Sequence, residues 1–199
     1  LINEQNIWAS GAEFPDSMSG LFLSHRSIGL AIFVNAEHAR ARKRFSYAHE
    51  YAHALLDREL GVRVSEADNA YELIEKRANA FAAAFLMPRD GVISLLNSLD
   101  KGKPSREERA IFDVATEGLI EASIRPAPNS QRIIYQDVAL IAHHFGVSYQ
   151  AATYRLRSLN RISPKECGEL IEQVDFGNKY LKLLDMFEDL EGSEEVNLL

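Results

Sequence analysis

The sequence predicts an α+β fold that is mostly helical, with a small antiparallel sheet early in the chain. A β-rich stretch at residues 20–34 precedes long segments in which apolar residues recur at helical spacing. The 199 residues are 46% hydrophobic and 26% charged, a balance typical of a globular protein with one sizeable core. We expect a first domain at residues 1–98 and a helical region at 99–199, which includes a helix-turn-helix-like segment at 133–162.

Residues 20–34 are predicted to form the sheet as two short strands. Apolar, β-branched and aromatic residues lie on both sides of a polar break at residues 25–27, as in an antiparallel pair. An edge of this strand pair is a candidate site for an extended peptide, which would add one more strand.

Two long helices are predicted next. Asn35 is a suitable N-cap for the first, which we expect to run to about Leu60 and to end at Gly61. The second is expected over residues 66–87, where Pro88 ends it. Its core-facing stripe consists of Leu73, Ile74, Ala78, Phe81, Ala82 and Phe85.

The second half of the chain is predicted to be helical with two breaks. A polar linker at residues 99–109 leads to a helix at about 107–122, and turn-forming residues at 125–132 make the second break. Residues 135–160 then resemble a helix-turn-helix, with Gly146 at the turn.

The helix-turn-helix-like segment makes DNA a partner to consider. Residues 131–165 carry five basic residues and one acidic residue, and a basic surface of this kind contacts phosphates. However, the second helix places tyrosine and alanine where base-reading Asn, Gln or Arg are expected. The whole chain has 29 acidic and 22 basic side chains, a net charge of −7, so it has no general attraction to nucleic acid. DNA binding is therefore an alternative that the sequence does not favour.

The cysteine content and the apolar runs favour a cytoplasmic protein. Cys167 is the only cysteine, so neither an internal disulfide nor a cysteine-based zinc site can form. The longest apolar run, at residues 28–34, is far too short to span a bilayer. The start of the chain lacks the layout of a secretory signal. We therefore expect a reducing, cytoplasmic environment and no membrane partner.

The stretch RFSYAHEYAHALL, at residues 44–56, places two histidines four residues apart on the first predicted helix. Residues i and i+4 share one helix face, so the rings of His49 and His53 can bind one ion. Glu50 lies about 100° round the helix, where it can reach the water that such a site activates without being a ligand. This arrangement is typical of a zinc hydrolase, although two histidines on an amphipathic helix also occur without a metal.

A third ligand is expected from the helix at residues 66–87. Its acidic candidates are Glu66, Asp68, Glu72 and Glu75. Glu75 lies at the border of the apolar stripe, where a carboxylate can meet another helix at a half-buried site. Asn79, one turn later, is placed to hydrogen-bond a ligand side chain and hold it in position. The predicted metal ligands are His49, His53 and Glu75.

The second motif, EKRANAFAAAFLMP at residues 75–88, completes a pattern with the first. Together the two motifs resemble the ImmA/IrrE family of metallopeptidases, which pairs an RF-x-x-AHE-x-x-H helix with an E-x-x-AN-x-FA-x-x-(L)LMP helix. Every fixed element of both helices is present in this chain. The resemblance is strong over residues 18–90 and looser over the helix-turn-helix-like part.

The resemblance implies a gluzincin-like metallopeptidase core, with the site on two helices beside the small sheet. It implies that the predicted ligands hold Zn²⁺, with Mn²⁺ as an alternative, and that Glu50 is the catalytic general base. The sequence assigns no stabiliser of the oxyanion among His25, His38 and Tyr47. We expect His38 to be solvated near the helix start and Tyr47 to be packed.

The resemblance also implies a narrow protein substrate. Members of this family typically cleave a repressor or antitoxin with a helix-turn-helix domain and so release stress-response or mobile-element genes. Two other interpretations stay open: a non-catalytic antitoxin or regulatory binding protein built on the peptidase fold, and a DNA-binding regulator that acts through residues 135–160. The presence of Glu50 favours the enzyme, because a pure binding protein has no use for a general base.

Overall fold

The computed structural model describes residues 5–27, 29–102, 107–113, 118–124 and 130–196. Within these ranges the fold is α+β, with seven α-helices and a four-stranded sheet. The strands are β1 (Ile7–Ala12), β2 (Met18–His25), β3 (Gly29–Asn35), β4 (Val62–Glu66), β5 (Glu107–Asp113) and β6 (Gly118–Ile124). The helices are α1 (Arg40–Leu56), α2 (Leu73–Leu86), α3 (Arg89–Ser98), α4 (Tyr135–Phe145), α5 (Tyr149–Ser158), α6 (Pro164–Glu172) and α7 (Val174–Val196). None of the described helices is long and apolar enough to cross a membrane.

The four-stranded sheet has the order β1-β3-β2-β4. β2 and β3 pair antiparallel, with Gly20 opposite Val34, as predicted for residues 20–34. β1 joins β3 in parallel and β4 joins β2 antiparallel, so the sheet is mixed rather than antiparallel. The hypothesis that a peptide adds to an edge of the β2–β3 pair is therefore wrong, because β1 and β4 already cover both edges.

The first long helix begins later than predicted, at Arg40, and Ala39 rather than Asn35 is its N-cap. Asn35 is the last residue of β3 and is fully buried. Its Nδ2 donates to three backbone carbonyls, two in the loop between β1 and β2 and one at the start of β2, because buried carbonyls need a donor. These carbonyls belong to Phe14, Pro15 and Met18. Asn35 therefore fixes a loop against the sheet instead of capping a helix.

The second long helix begins at Leu73, not at Glu66. β4 ends at Glu66, and a single 3₁₀ turn follows it. The side chain of Asn69 accepts from the backbone N–H of Glu66 and donates to a β4 carbonyl. Because these side-chain bonds compete with helical ones, the helix starts only after the turn. It ends just before Pro88, as the position of the proline predicts.

The helix predicted at about 107–122 is wrong. β5 and β6 occupy this part of the chain as an antiparallel pair, with Ile111 opposite Ile120. Pairing between the two strands overrides the helical propensity of the separate segments. Part of the predicted linker at 99–109 and most of the predicted break at 125–132 lie outside the described residues.

Two apolar clusters organise the packing. The sheet cluster lies where the sheet meets α1 and contains the buried residues Ile7, Phe22, Ile32, Val34 and Ala54. The helical cluster joins the end of α2 to α3–α6, and its members include Val92, Leu96, Ile141, Leu156 and Leu170. α1 packs on β2 and β3 with one face and on α2 with another. Polar side chains on α1 and α2 therefore meet between the two helices.

Candidate metal centre

The three predicted ligands converge between α1 and α2. The Nε2 atoms of His49 and His53 lie 3.1 Å apart, as their i, i+4 spacing predicts. Glu75 approaches from α2, with Oε2 2.9 Å from Nε2 of His49 and Oε1 3.7 Å from Nε2 of His53. All three side chains are buried, and one ligand atom from each lies within 4.8 Å of the others. The residues could therefore hold a metal ion together.

The Nδ1 nitrogens of both rings are bound to oxygen acceptors, and the Nε2 nitrogens face Glu75. Nδ1 of His49 lies 2.9 Å from Oδ1 of Asn79, and Nδ1 of His53 lies 2.8 Å from Oδ2 of Asp57. Both oxygens are acceptors, so each ring carries its proton on Nδ1. When a ring is neutral, its Nε2 therefore keeps the lone pair that can bind a metal ion, and when His49 is protonated, its Nε2 donates to Oε2 of Glu75 instead. Asn79 contacts a ligand ring, as predicted.

The donor set fits zinc in chemistry and in spacing. Two neutral imidazole nitrogens and a carboxylate that face one point repel each other, and a cation between them would remove this repulsion. Bonds of about 2.0–2.1 Å in a tetrahedral zinc site separate neighbouring ligands by roughly 3.3 Å. The two Nε2 atoms are 3.1 Å apart, close to that separation. Two imidazoles and one carboxylate also leave a coordination position open, as a catalytic zinc site requires.

The pKa values of the ligands follow from their contacts. Burial raises the pKa of Glu75, but hydrogen bonds from His49 and Arg63 outweigh this effect and lower it to about 2. Burial lowers the pKa of His53, so its ring is neutral at neutral pH, as a metal ligand must be. Burial also lowers the pKa of His49, but the hydrogen bond to Glu75 and nearby negative charges raise it overall. A metal ion bound at His49 would therefore compete with a proton for the ring.

The strand β4 contributes two contacts that the sequence analysis missed. Nε of Arg63 donates to Oε1 of Glu75 at 2.7 Å, and Oγ of Ser65 lies 3.2 Å from Nε2 of His49. Arg63 also pairs with Glu72, which keeps its guanidinium beside the ligand. No local pattern in the sequence indicates these contacts, because they depend on the pairing of β4 with β2.

Asp57 is a further residue that the sequence analysis missed. Its carboxylate accepts from His53 and also pairs with Arg77 of α2. Burial raises the pKa of Asp57, but these two bonds outweigh burial and lower it, so the group is ionised. A carboxylate behind a ligand histidine fixes the ring and increases its basicity. The i, i+4 spacing from His53 to Asp57 is the signal that could have identified it.

Glu50 is fully buried beside the ligands, and neither of its oxygens has a hydrogen-bond partner in the described part of the chain. Its carboxyl lies against Gly20 of β2, where an added Cβ would come within 2.5 Å of Oε1. Burial raises the pKa of Glu50 to about 7, although the neighbouring charge of His49 lowers it. A carboxyl group with this pKa can accept and return a proton near neutral pH.

The three unassigned residues lie elsewhere. His38 is buried at 8% exposure, which contradicts the expectation that it is solvated. His38 lies in a turn that follows β3, in which its backbone N–H donates to the carbonyl of Asn35. Tyr47 packs against the sheet cluster as expected, and His25 is exposed. A cavity of about 240 Å³ opens beside His49, Glu50 and Glu75, and none of the three unassigned residues lines it.

α4 and α5 occupy the helix-turn-helix-like segment. The turn between them has Gly146 in the left-handed conformation, at φ 60° and ψ 42°, which glycine adopts without strain. The hydroxyl of Ser148 caps α5 by accepting from the N–H of Ala151.

Some of the basic side chains around α5 have partners within the molecule. Arg132 and Lys165 both lie next to Glu169, with N–O distances of 2.6 and 3.9 Å. Arg155 donates from Nε to the backbone carbonyl of Met87. Three of the five basic residues counted in the sequence are therefore directed to partners within the molecule.

The comparison with known families agrees with the geometry of the site. The profile of the IrrE N-terminal-like domain, a peptidase family, matches residues 3–157. The match covers more than half of the chain and includes both motif helices and α4. No curated protein gives a significant match. The resemblance to the ImmA/IrrE family is confirmed: the chain belongs to the family of the IrrE N-terminal-like domain.

Proposed function

We propose that this protein is a zinc-dependent endopeptidase that cuts a narrow range of protein substrates. One observation carries the proposal: His49, His53 and Glu75 converge at metal-binding distance, with the unpartnered carboxyl of Glu50 beside them. A cavity of about 240 Å³ opens over this group and gives a peptide access to it. The peptidase family of the chain supports the same activity.

In the proposed reaction, Glu50 moves the protons. Its carboxylate takes a proton from water as the water oxygen attacks the scissile carbonyl, and it then passes that proton to the leaving amine nitrogen. The C–N bond breaks, and one water is consumed for each bond cut. When bound, zinc would supply polarisation of the carbonyl and a lower pKa for water. Its ligands would be His49, His53 and Glu75, with Asn79 and Asp57 holding the two rings in place.

For the metal itself, zinc is the first choice and Mn²⁺ the alternative. Two neutral imidazoles and one carboxylate match the ligands of hydrolytic zinc sites. Manganese prefers sites with more oxygen ligands, and here one residue of the three supplies oxygen.

The proposed substrate is a transcriptional repressor with a helix-turn-helix domain, in a stress-response or mobile-element circuit of the cytoplasm. The family resemblance supports this choice. We test it by incubating the protein with the repressor encoded beside its gene, with zinc, with manganese and with a chelator.

The Glu50→Gln variant is the matched control because it keeps the shape of the side chain and removes the base. We expect wild type to produce one defined cut, and Glu50→Gln to be slower by roughly 10²–10⁴-fold. Fragments are identified by mass spectrometry. Cleavage that survives the loss of Glu50 would overturn the mechanism.

The two alternative functions have less support. The DNA-binding interpretation needs a free basic surface on residues 135–160, whereas Arg155 donates to Met87. The non-catalytic interpretation gives no role to Glu50, whose buried carboxyl lacks a partner in the described ranges. We therefore propose neither as the function of this chain.

A further inference from the structure

A second groove continues from the cavity over the metal centre. Its volume is about 650 Å³, and it lies between α1, α2 and α5. Arg42, Phe45 and Asn79 line both the groove and the cavity over the site, so the two spaces share a wall. A chain bound across the metal centre would enter this groove directly.

The groove is mainly apolar and belongs to the size range of ligand sites, about 300–1,000 Å³. Small side chains form its α2 and α5 sides and leave it wide: Ala80, Ala83 and Ala151. Phe45 and Tyr154 add aromatic surface, and Tyr154 is 57% exposed. Exposed apolar surface next to a reactive centre is suited to a bulky apolar side chain.

Two arginines line the groove without a carboxylate partner among the described residues. Arg42 stands at the border with the metal centre, and its one hydrogen bond is to the hydroxyl of Ser19, at 3.3 Å. Arg155 is held by the carbonyl of Met87 and has no acidic neighbour within ion-pair distance in the described ranges. Because neither guanidinium has a carboxylate partner in the described ranges, their positive charge favours an anionic group on the occupant.

We propose that this groove binds a substrate segment that carries a bulky apolar side chain next to an acidic residue, on one side of the scissile bond. The side walls on α2 and α5 accept the apolar side chain, and Arg42 accepts the acidic one. The assignment of the occupant as substrate rests on the peptidase function proposed above.

Three short fluorescent peptides test the proposal. Each has a glycine–serine frame with a central Phe-Glu, Phe-Lys or Ser-Glu pair. Binding to the full-length, zinc-loaded Glu50→Gln protein is measured by fluorescence polarisation, so that the probes stay intact. We expect Phe-Glu to bind roughly tenfold or more tightly than Ser-Glu and about fivefold more tightly than Phe-Lys.

Two further substitutions in the same protein separate the two preferences. Ala80→Trp fills the groove and is expected to remove the preference for Phe over Ser. Its matched control is Ala84→Trp, an exposed alanine one turn along α2 that does not line the groove. Arg42→Glu is expected to reverse the preference for Glu over Lys. Its control is Arg58→Glu, beyond the other end of α1.

The outcomes distinguish this proposal from the peptidase function. Equal binding of the three peptides, no measurable binding, or an Ala84→Trp effect as large as that of Ala80→Trp overturns the groove assignment. Wild-type protein is tested separately for cleavage of the Phe-Glu peptide and of the repressor. Selective binding without any cleavage would overturn the peptidase function and leave the groove as a peptide site. Cleavage of the repressor without selective binding of the peptides would overturn the groove assignment and support the peptidase function.

Discussion

The sheet region and the helical region of this molecule bury different kinds of side chain. Nine of the eleven buried polar or charged residues in the described ranges belong to the segment from β3 to α2, which carries the candidate metal centre. The helical cluster holds fifteen buried apolar residues, whereas the sheet cluster holds five. The sheet region therefore holds most of the buried polar groups, and the helical region holds most of the buried apolar side chains.

This difference indicates where stability and function come from. A buried polar group without a partner costs free energy, and both oxygens of Glu50 are in that position within the described structure. Apolar burial in the helical cluster offsets such costs. Metal binding would add stability to the sheet region, because a ligand that binds only the folded state stabilises it.

The largest expected effect is on stability, from a substitution in the helical cluster. Ile141 is fully buried in α4, so Ile141→Ala leaves a cavity and should lower the free energy of unfolding by about 2–5 kcal/mol. Urea denaturation measures this change. The zinc affinity of the folded variant should equal that of wild type. A fall in the zinc affinity of the folded variant would show that packing in the helical cluster also determines metal binding, which would contradict this comparison.

The next effect is on catalysis, from Gly20→Ala in β2. The new Cβ must displace the carboxyl of Glu50, from which it would be only 2.5 Å away. A small misplacement of a catalytic group can cost roughly 100-fold in rate, so kcat should fall by about that factor while zinc affinity stays unchanged. Gly11→Ala is the control, because its Cβ would lie 3.4 Å from its nearest neighbour, on Ala36. Equal rates for the two variants would contradict the positioning role of Gly20.

A smaller effect, on zinc affinity, is expected from Asp57→Ala, which removes the carboxylate that accepts from Nδ1 of His53. Loss of the carboxylate that orients His53 should weaken zinc binding by roughly 10–100-fold. Asp57→Asn keeps an acceptor for Nδ1 and should lose less affinity. Competition with a chromophoric chelator measures both. If Asp57→Ala bound zinc as tightly as wild type, Asp57 would have no role in orienting His53 for metal binding.

Much of the site could be predicted because its ligands obey helical spacing. His49 and His53 are four residues apart on α1, and Glu75 and Asn79 have the same spacing on α2. Each pair therefore shares a face whatever the exact ends of the helix. The error in the start of α2, predicted at residue 66, left this relation intact.

The missed features depend on contacts between distant parts of the chain. Arg63 reaches Glu75 because β4 pairs with β2, and the strands at 107–113 and 118–124 depend on each other. Asn35 has the residue type of a helix cap, yet it bonds carbonyls about twenty residues earlier in the chain. Local patterns carry no information on such partners. The division of the chain at residues 98 and 99 stays a prediction.

Calorimetric titration of metal-free protein with zinc tests the central claim most directly, namely that His49, His53 and Glu75 form one metal site. Wild type is compared with Glu75→Ala and with Glu72→Ala, which removes the carboxylate that pairs with Arg63 just before α2. We predict one ion bound per wild-type chain, with release of a proton, near-normal binding in Glu72→Ala, and loss of binding in Glu75→Ala. Unchanged zinc binding in Glu75→Ala would contradict the account.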